Sequence, residues 1–421
     1  MNMPIDPADD HDAAAGTTGP AGALSGLKVL DLSRVLAGPW CTQILADLGA
    51  EVIKIERPGV GDDTRHWGPP FLRDGQGNST TQATYYTAAN RNKKSVTLDL
   101  SKPEGQALVR KLAAGADVLV ENFKVGGLKK FGLDAESLRA ANPRLIVASI
   151  TGFGQDGPYA DRAGYDFIIQ GMGGMMSITG YPEGEPGGGP LRVGVAVVDL
   201  FTGMYTASAI LAALFRRERT GEGAHIDMAL FDTQVAVLAN QVSNALVSGK
   251  DPPRQGNTHP NIVPYQPFEA ADKPLIVAVG NDRQFARLAE LCGHPEWASD
   301  ERFSTNAARV GNRAEIVRLV GECIRQKSAD EWFAKLDEAG IPAGPINTIG
   351  EALADVQSQH RQMVRTIAGI PLMGSPVRLD GERADSELPP PTLGENTAEV
   401  LKALSVSDDE IARLKSAGVI G

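Results

Sequence analysis

Asp199 is the residue of this chain with the clearest potential for covalent chemistry, because it is a single carboxylate at the end of an apolar run. It follows Val193-Gly-Val-Ala-Val-Val and comes just before a helical stretch. Aspartate is favoured at helix N-caps, so one interpretation is purely structural. The other is a nucleophile, because the positive partial charge and free N–H groups of a helix N-terminus hold a partly buried carboxylate ionised. The local pattern leaves both open.

Basic residues in the first half of the chain are candidates for binding phosphates. Lys plus Arg number 41 against 52 Asp plus Glu, a formal net charge of -11, so an anionic ligand needs a local group of cations. Several of these cations follow predicted parallel strands, where open α/β sheets bind ligands. A solvated rim is the alternative. The basic cluster comprises Arg57, Lys93, Lys94, Lys102, Lys124, Lys129 and Lys130.

The segment Thr151-Gly-Phe-Gly-Gln-Asp-Gly-Pro contains the spacing of a dinucleotide-binding loop. That loop normally follows the first strand and opens a helix, whereas this segment follows the fifth predicted strand and is stopped by Pro158. We therefore predict a turn-rich loop.

Composition excludes several other classes of protein. The three cysteines, Cys41, Cys292 and Cys323, form neither a disulfide framework nor a zinc-ligand pattern, so we expect a reducing, cytoplasmic location and no metal. The acidic balance argues against nucleic acid as a partner. The apolar stretch Ala207–Phe215 is shorter than the roughly 20 residues of a membrane span, and residues 1–23 match neither a secretory signal nor a transit peptide.

The positions of these residues depend on an alternation of short β-branched runs and helical stretches, which predicts an α/β fold with a Rossmann-like parallel sheet. Predicted helices are Cys41–Leu48, Glu104–Ala113 and a long, buried scaffold helix from Asp199 to about Arg219. A smaller α+β unit follows a break at Asp251–Asn257. The predicted strands of the sheet are Lys28–Leu32, Glu51–Ile55, Ser95–Leu98, Asp117–Val120 and Leu145–Ile150.

Several sequence blocks, in this order, resemble the class III CoA-transferases, a family that also includes α-methylacyl-CoA racemases. The likeness runs from about Leu24 to the C-terminus. The blocks are Leu24-Ser-Gly-Leu-Lys-Val-Leu-Asp-Leu-Ser, Ala37-Gly-Pro, Leu48-Gly-Ala-Glu-Val-Ile-Lys-Ile-Glu-Arg-Pro-Gly, Asn92-Lys-Lys-Ser, Val120-Glu-Asn-Phe, Val198-Asp199 and Gly203-Met204.

The resemblance implies an interlocked homodimer in which a Rossmann-like large domain is completed by the C-terminal segment and carries an inserted small domain. We accordingly divide the chain into a disordered extension (1–23), the first part of the large domain (24–225), a small α+β domain (250–345) and a returning C-terminal segment (346–421).

The resemblance also implies the site. Asp199 matches the family's nucleophile, and coenzyme A is a substrate with no tightly bound cofactor. The residues assigned to CoA are Leu36, Ala37, Arg57, Leu98, Lys102, Asn122, Phe123, Lys124, Lys130, Ala163, Tyr165 and Asp166. For the carboxylic acid substrate we assign Arg34, Arg65 and Arg192, whose guanidinium groups can pair with a distal carboxylate, together with Trp67.

The resemblance also discriminates between the two chemistries of the family, because its racemases look to have a histidine, paired with the aspartate, where this chain has Tyr165. Proton abstraction from both faces of an α-carbon needs two acid/base groups, so the absence of this histidine favours a transferase. A racemase or epimerase remains the first alternative and a non-catalytic CoA-binding protein the second.

Among the transferases, the chain is most similar to the succinyl-CoA:glutarate CoA-transferases, which implies a dicarboxylic acceptor. Shared segments include Gly61-Asp-Asp-Thr-Arg-His-Trp-Gly-Pro-Pro-Phe and Arg162-Ala-Gly-Tyr-Asp. Leu36 stands where formyl-CoA transferase has a glutamine, that enzyme's four-glycine lid is not found near Gly256, and Lys130 replaces an arginine. These differences weaken the case for a formate or oxalate acceptor.

Overall fold

The computed structural model describes residues 22–384 and 388–421, so nearly all of the predicted disordered extension, 1–23, lies outside the described residues. Within them, the strands are β1 (Lys28–Asp31), β2 (Glu51–Glu56), β3 (Phe71–Arg73), β4 (Ser79–Ala83), β5 (Lys93–Thr97), β6 (Val118–Glu121), β7 (Ile146–Thr151), β8 (His225–Ala229), β9 (Tyr265–Glu269), β10 (Pro274–Ala278), β11 (Ala343–Pro345), β12 (Val364–Ile367), β13 (Ile370–Met373), β14 (Arg378–Leu379) and β15 (Glu382–Arg383).

The α-helices of the same residues are α1 (Ala37–Asp47), α2 (Thr84–Thr87), α3 (Pro103–Ala114), α4 (Ala135–Ala141), α5 (Asp166–Met172), α6 (Met175–Ile178), α7 (Val197–Thr220), α8 (Leu230–Val237), α9 (Asn240–Ser248), α10 (Asp282–Leu291), α11 (Asn306–Gly311), α12 (Arg313–Ile324), α13 (Ala329–Glu338), α14 (Ile349–Ala354), α15 (Val356–His360), α16 (Thr397–Ala403) and α17 (Asp408–Ser416).

The central sheet is parallel, as predicted, with the strand order β5-β2-β1-β6-β7-β8. Its five predicted strands are confirmed with ends shifted by one or two residues. The chain fills one side of β1 with β2 and β5 and then crosses to β6 on the other side. This reversal leaves a crevice outside the carboxyl ends of β1 and β6, which is where open α/β sheets bind ligands.

Each face of the sheet carries its own apolar core, because alternate residues of a strand point to opposite sides. Val29 packs on the face that holds α1 and α7, and Leu30 on the face that holds α3. On this second face the C-terminal segment adds Leu401 and Ile420 to the core. It is also bonded to the sheet edge, where Asn396 N–H donates to the Ser95 carbonyl at 2.9 Å.

Helix α7 differs from the buried scaffold helix that we predicted. One face packs on α1, where Gly203 is required because a Cβ there would lie 2.7 Å from the Ala37 carbonyl oxygen. The other face leaves apolar side chains exposed, among them Met204 at 50% and Phe215 at 68%. Burial was overestimated because the helix is apolar around most of its circumference.

By length and composition, α7 is also the one helix of the described residues that could cross a membrane, which our estimate from the Ala207–Phe215 stretch missed. A core helix of a globular protein meets the same test. Val198, Ala207 and Ile210 on α7 are fully part of the core beside the sheet, which favours this second explanation.

The segment between α9 and α14 has a core of its own. Strands β9, β10 and β11 form an antiparallel sheet in the order β11-β10-β9. Helices α10, α12 and α13 cover it, with Phe285, Val320 and Trp332 buried against Val277. This α+β unit lies within the 250–345 segment predicted as the small domain.

Candidate active site

A groove runs across the carboxyl ends of the parallel strands. It consists of two cavities, one of about 580 Å³ that contains Asp199 and one of about 470 Å³ that contains Arg57. Both are lined by Arg34, Phe123 and Phe131, so they adjoin each other. We call this feature the strand-end groove. It has a carboxylate at one end, cations along its length and apolar walls between them.

Asp199 lies in the first turn of α7, but it is not the N-cap. Ala196 occupies that position and has no side-chain acceptor. The N–H groups of Val198 and Asp199 instead donate to Oδ2 of Asp166, at 2.8 and 3.3 Å. The N-cap interpretation of Asp199 is therefore wrong, because a carboxylate from α5 takes the helix donors.

Within the described residues, the Asp199 carboxylate has no hydrogen bond or ion pair. Burial, together with the nearby charge of Asp166, raises the pKa of Asp199 from 3.8 to about 7. We had expected the helix N-terminus to hold this group fully ionised. That expectation fails because the helix donors are occupied and desolvation dominates. The result is a carboxylate that ionises near neutral pH and faces a large cavity.

Most residues assigned to CoA line the strand-end groove. Asn122 also shapes the groove, because its side chain makes two hydrogen bonds with the Arg34 backbone. Its Oδ1 accepts from the Arg34 N–H at 2.9 Å, and its Nδ2 donates to the Arg34 carbonyl at 2.7 Å. Around Asp199 the groove is lined by Leu36, Ala37, Asn122, Phe123, Lys124, Lys130, Ala163 and Tyr165, and the second cavity by Arg57 and Leu98.

Two of the assigned CoA residues lie elsewhere. Asp166 is buried beside α7 and is not part of the groove lining, for the reason given above. The Lys102 ammonium group donates to the Ala417 carbonyl at the end of α17. Its charge therefore stabilises the C-terminal carbonyls of a helix instead of reaching the groove.

The structure places three of the four residues assigned to the acid substrate on accessible surfaces and buries the fourth. Arg34 lies at the junction of the two cavities and pairs with the exposed Asp63 at 2.9 Å. Arg192 is exposed near the Phe167 ring, 5.8 Å from its centroid, and Trp67 is 45% exposed with its ring edge against Tyr85. These three are accessible to a small acid.

Arg65 has a structural role instead of the substrate contact that we predicted. It forms a bidentate pair with Glu56, at 2.8 and 2.7 Å, and donates to the Tyr86 hydroxyl and the Pro391 carbonyl. The guanidinium group lies 3.7 Å from the Tyr86 ring centroid. Four of its five N–H groups donate to acceptors inside the protein and the side chain is buried, so it is not presented to a ligand.

The basic cluster is likewise divided. Lys93 is fully buried and pairs with Asp31 at 3.1 Å, and burial lowers its pKa to about 8. Lys94 pairs with Glu51 and Glu399, at 2.9 and 2.8 Å. Neither is placed to bind phosphate. Lys129 lines a separate cavity of about 290 Å³ beside the groove. Arg57, Lys124 and Lys130 remain as groove cations.

The predicted turn-rich loop after β7 is confirmed, since residues 152–162 form bends and turns and no helix begins there. Thr151 and Gly152 form part of the groove wall. Gly152 packs directly on Gly164, so that a Cβ on Gly152 would lie 2.6 Å from the Gly164 Cα. This close contact explains Gly152, and Gly154 and Gly157 have positive φ angles of 94° and 85°, so the glycines are explained without a dinucleotide.

Sequence reasoning missed Tyr85. Its pKa is raised by burial and by the negative charge of Asp199, which places the phenol near that carboxylate. Tyr85 also connects the surroundings of Asp199 with Trp67, because the ring centroids of Tyr85 and Trp67 are 5.2 Å apart. Tyr85 belongs to the short helix α2 in the segment Thr84-Tyr-Tyr-Thr, where no spacing or motif signals a function.

The chain is similar to known proteins over almost its whole length. A family model described as CoA-transferase family III matches residues 24–397. The succinate–glutarate CoA-transferase of Agrobacterium fabrum is 52% identical over 386 residues, which are 90% of this chain and 95% of that protein. The human succinyl-CoA:glutarate CoA-transferase is 42% identical over 403 residues, 94% of this chain and 90% of that protein.

A solved structure shares the fold as well. The crystal structure of a CaiB/BaiF family protein from Brucella suis is 51% identical, with a TM-score of 0.80, and the match covers 91% of this chain and all of that one. The strand-end groove and Asp199 therefore lie in a fold that occurs in a relative of high identity.

Proposed function

The chain belongs to CoA-transferase family III, and from that premise we propose that it moves coenzyme A from succinyl-CoA to a small dicarboxylic acid of the glutarate type. The observation that carries the proposal is the strand-end groove. It offers cations and apolar walls to an elongated thioester and ends at a carboxylate without a partner. Relatives named for succinate and glutarate support the choice of acids.

Asp199 is the proposed nucleophile. Its carboxylate attacks the thioester carbonyl of the donor, and the carbon–sulfur bond breaks to give a mixed anhydride and CoA thiolate. The thiolate then attacks the Asp199 carbonyl, which forms an aspartyl-CoA thioester and releases the donor as its carboxylate. The acceptor carboxylate attacks the carbonyl of this thioester, and the carbon–sulfur bond breaks to give a second mixed anhydride and CoA thiolate. The thiolate then attacks the acceptor carbonyl of that anhydride and releases the Asp199 carboxylate. The product thioester leaves and Asp199 is a carboxylate again.

The groove residues position the thioester in this scheme. Arg57, Lys124 and Lys130 supply positive charge to the phosphates, and the pantetheine arm lies along Leu98, Phe123 and Leu36. Holding the sulfur ester against Asp199 lowers the barrier by several kcal/mol relative to free encounter. Coenzyme A acts here as a substrate, not as a resident cofactor.

Arg34 is our candidate for the distal carboxylate of the acid. Arg34 lies where the two cavities meet. Its exposed ion pair with Asp63 contributes little to stability, so a substrate carboxylate can take the place of Asp63. Trp67, Tyr165 and Arg192 are further contacts proposed for the acid. Their exposure fits residues that become covered when a substrate or another protein surface closes over them.

A homodimer is part of the proposal. Apolar side chains on α7 and on other helices of the described chain are exposed, and a second copy of the chain, threaded through the first as in the family, would bury them. We also propose the cytoplasm as the compartment. The strongly exposed apolar side chains are Phe215, Leu246, Val247, Ile349 and Val356.

The racemase alternative has less support. Among the described residues that line the Asp199 cavity there is no histidine, and Tyr165 stands where a second base would be required. A racemase would exchange the α-proton of an acyl-CoA with deuterium without moving CoA. A non-catalytic binding protein would move nothing.

An acceptor screen tests the proposal. Succinyl-CoA is incubated with glutarate, itaconate, mesaconate, malate or oxalate, and new CoA thioesters are identified by mass spectrometry. Hydroxylamine added during turnover should convert Asp199 to its hydroxamate, which peptide mapping locates. Asp199→Ala should bind acyl-CoA but form neither product. Transfer by that variant, or its absence from the wild type, would overturn the assignment.

A further inference from the structure

The first turn of α7 is held by a pair of side chains from α5. Helix N-termini leave their first N–H groups without partners inside the helix, and a polar side chain nearby normally satisfies them. The chain leading into α7 provides none, since Ala196 is the N-cap. Asp166, from a different helix, accepts from both Val198 and Asp199.

The carboxylate that does this is itself fixed. Its other oxygen, Oδ1, accepts from Nε2 of Gln170 at 2.6 Å, one turn further along α5. Gln170 is fully buried, and its Oε1 accepts from the N–H of Val193 at 2.9 Å. Both oxygens of Asp166 and both polar atoms of Gln170 are therefore engaged. The relay connects the segment that enters α7 with the first turn of the helix.

We propose that Asp166 and Gln170 are positioning residues that fix the first turn of α7 and keep the Asp199 carboxylate free of hydrogen bonds and aimed into the groove. This inference rests on the proposed function, because the direction in which the Asp199 carboxylate points matters only if it attacks a thioester. Without Asp166, the free N–H groups would be available to the Asp199 carboxylate itself. A carboxylate bonded to its own helix is held away from the groove and is a weaker nucleophile.

The charge of Asp166 acts in the same direction. It lies beside Asp199 and contributes to the raised pKa of that group. Tyr85 on α2 lies near the same carboxylate. The cavity that Asp199 lines is also lined by Tyr165, Arg34, Lys124, Lys130 and Arg162. Among the described residues, none of these cations forms an ion pair with Asp199.

Asp166→Asn is the informative variant. It keeps the size of the side chain and one acceptor oxygen but removes the charge and one hydrogen bond. We expect kcat for transfer to fall about 100-fold, as displacement of a reacting group by about 1 Å does, while KM for acyl-CoA stays within about twofold. The acidic limb of the kcat–pH profile should move to lower pH. Gln170→Ala should lower kcat about 10-fold.

Asp355→Asn is the matched control. Asp355 is an exposed N-cap that accepts from the Gln357 N–H of α15 at 2.8 Å, so the change also removes the charge of a capping carboxylate, but far from Asp199 in the sequence and outside the groove lining. Because asparagine caps helices about as well as aspartate, the Tm, kcat and the pH profile of kcat should all stay close to those of the wild type. A folded Asp166→Asn protein with wild-type kcat and pH profile would overturn the inference.

A second measurement does not depend on turnover. A water-soluble carbodiimide reacts with protonated carboxyl groups, so the labelling of Asp199, followed by peptide mass spectrometry, should be half-maximal near pH 7 in the wild type. In Asp166→Asn the midpoint should move to lower pH. If the wild type transfers no CoA, the proposed function fails, but this shift still supports the part of the inference in which Asp166 keeps the Asp199 carboxylate free of hydrogen bonds. An unchanged midpoint overturns it.

Discussion

Replacing Asp199 with asparagine should abolish transfer and, at neutral and alkaline pH, make the folded protein more stable. Burial, and then the charge of Asp166, raise the pKa of Asp199 to about 7. The ionised carboxylate is therefore less favourable in the folded protein than in the unfolded chain. Asparagine has nearly the same shape and no charge, so it removes this unfavourable contribution. Active sites commonly lower stability in this way.

The raised pKa of Asp199 gives the size of this stability difference and the way it depends on pH. From pH 4 to 7 the folded protein binds a proton that the unfolded chain has lost, so the free energy of unfolding of the wild type falls as pH rises through this interval. With about 1.4 kcal/mol for each pKa unit, the difference between 3.8 and about 7 corresponds to about 4 kcal/mol above pH 7. Below pH 4 the carboxyl is protonated in both states and the gain disappears.

Urea unfolding of wild type and Asp199→Asn at pH 4.5, 6 and 8 measures this difference. The variant's advantage should grow from about 1 kcal/mol at pH 4.5 to about 4 kcal/mol at pH 8, with similar m-values. Asp251→Asn, at an exposed position in the linker after α9, is the control and should change stability by under about 0.5 kcal/mol at each pH. An Asp199→Asn protein no more stable than wild type at pH 8 would refute the claim that this carboxylate is desolvated and unpaired.

Three other substitutions separate the roles of the basic residues. Arg57→Ala should raise KM for acyl-CoA about tenfold with little change in kcat, in steady-state kinetics, because it removes a groove cation remote from the reacting atoms. Lys102→Ala should leave KM unchanged, because that ammonium group is bonded to Ala417; a rise would return Lys102 to the CoA site. Arg65→Ala should lower the free energy of unfolding by about 3–5 kcal/mol in urea titrations, because Glu56 then stays buried without its partner. Recovery of full stability in Arg65→Lys would contradict the bidentate explanation.

The sheet could be predicted because its strands follow a local rule. Short β-branched runs with apolar residues on both faces identify parallel strands that are covered on both sides, and β1 shows this with Val29 and Leu30 in opposite cores. The hairpins β3–β4, β12–β13 and β14–β15 were not predicted. Their strands are two to five residues long and lack a clear alternation of apolar and polar residues, so their pairing depends on contacts that local sequence does not encode.

The roles of the charged residues were harder to predict, because type and spacing do not show which groups meet. Arg65 and Lys93 have the charge that an anionic substrate needs, but each has a buried carboxylate within reach. In water such pairs contribute little, whereas inside the protein an unpaired charge is strongly unfavourable, so burial determines their partners. Arg57 stays available because no carboxylate is bonded to it in the described residues and it lines a cavity.

The two aspartates near α7 show the same limit at the centre of the site. Sequence favours Asp199 as a cap because it precedes a helix, yet the N–H groups of one helix turn cannot satisfy two carboxylates equally. Whichever carboxylate accepts them is stabilised as an anion and loses nucleophilicity. Asp166 reaches them from 33 residues earlier in the chain, and only tertiary packing brings it there. A second carboxylate in the capping role is what leaves the first one free to react.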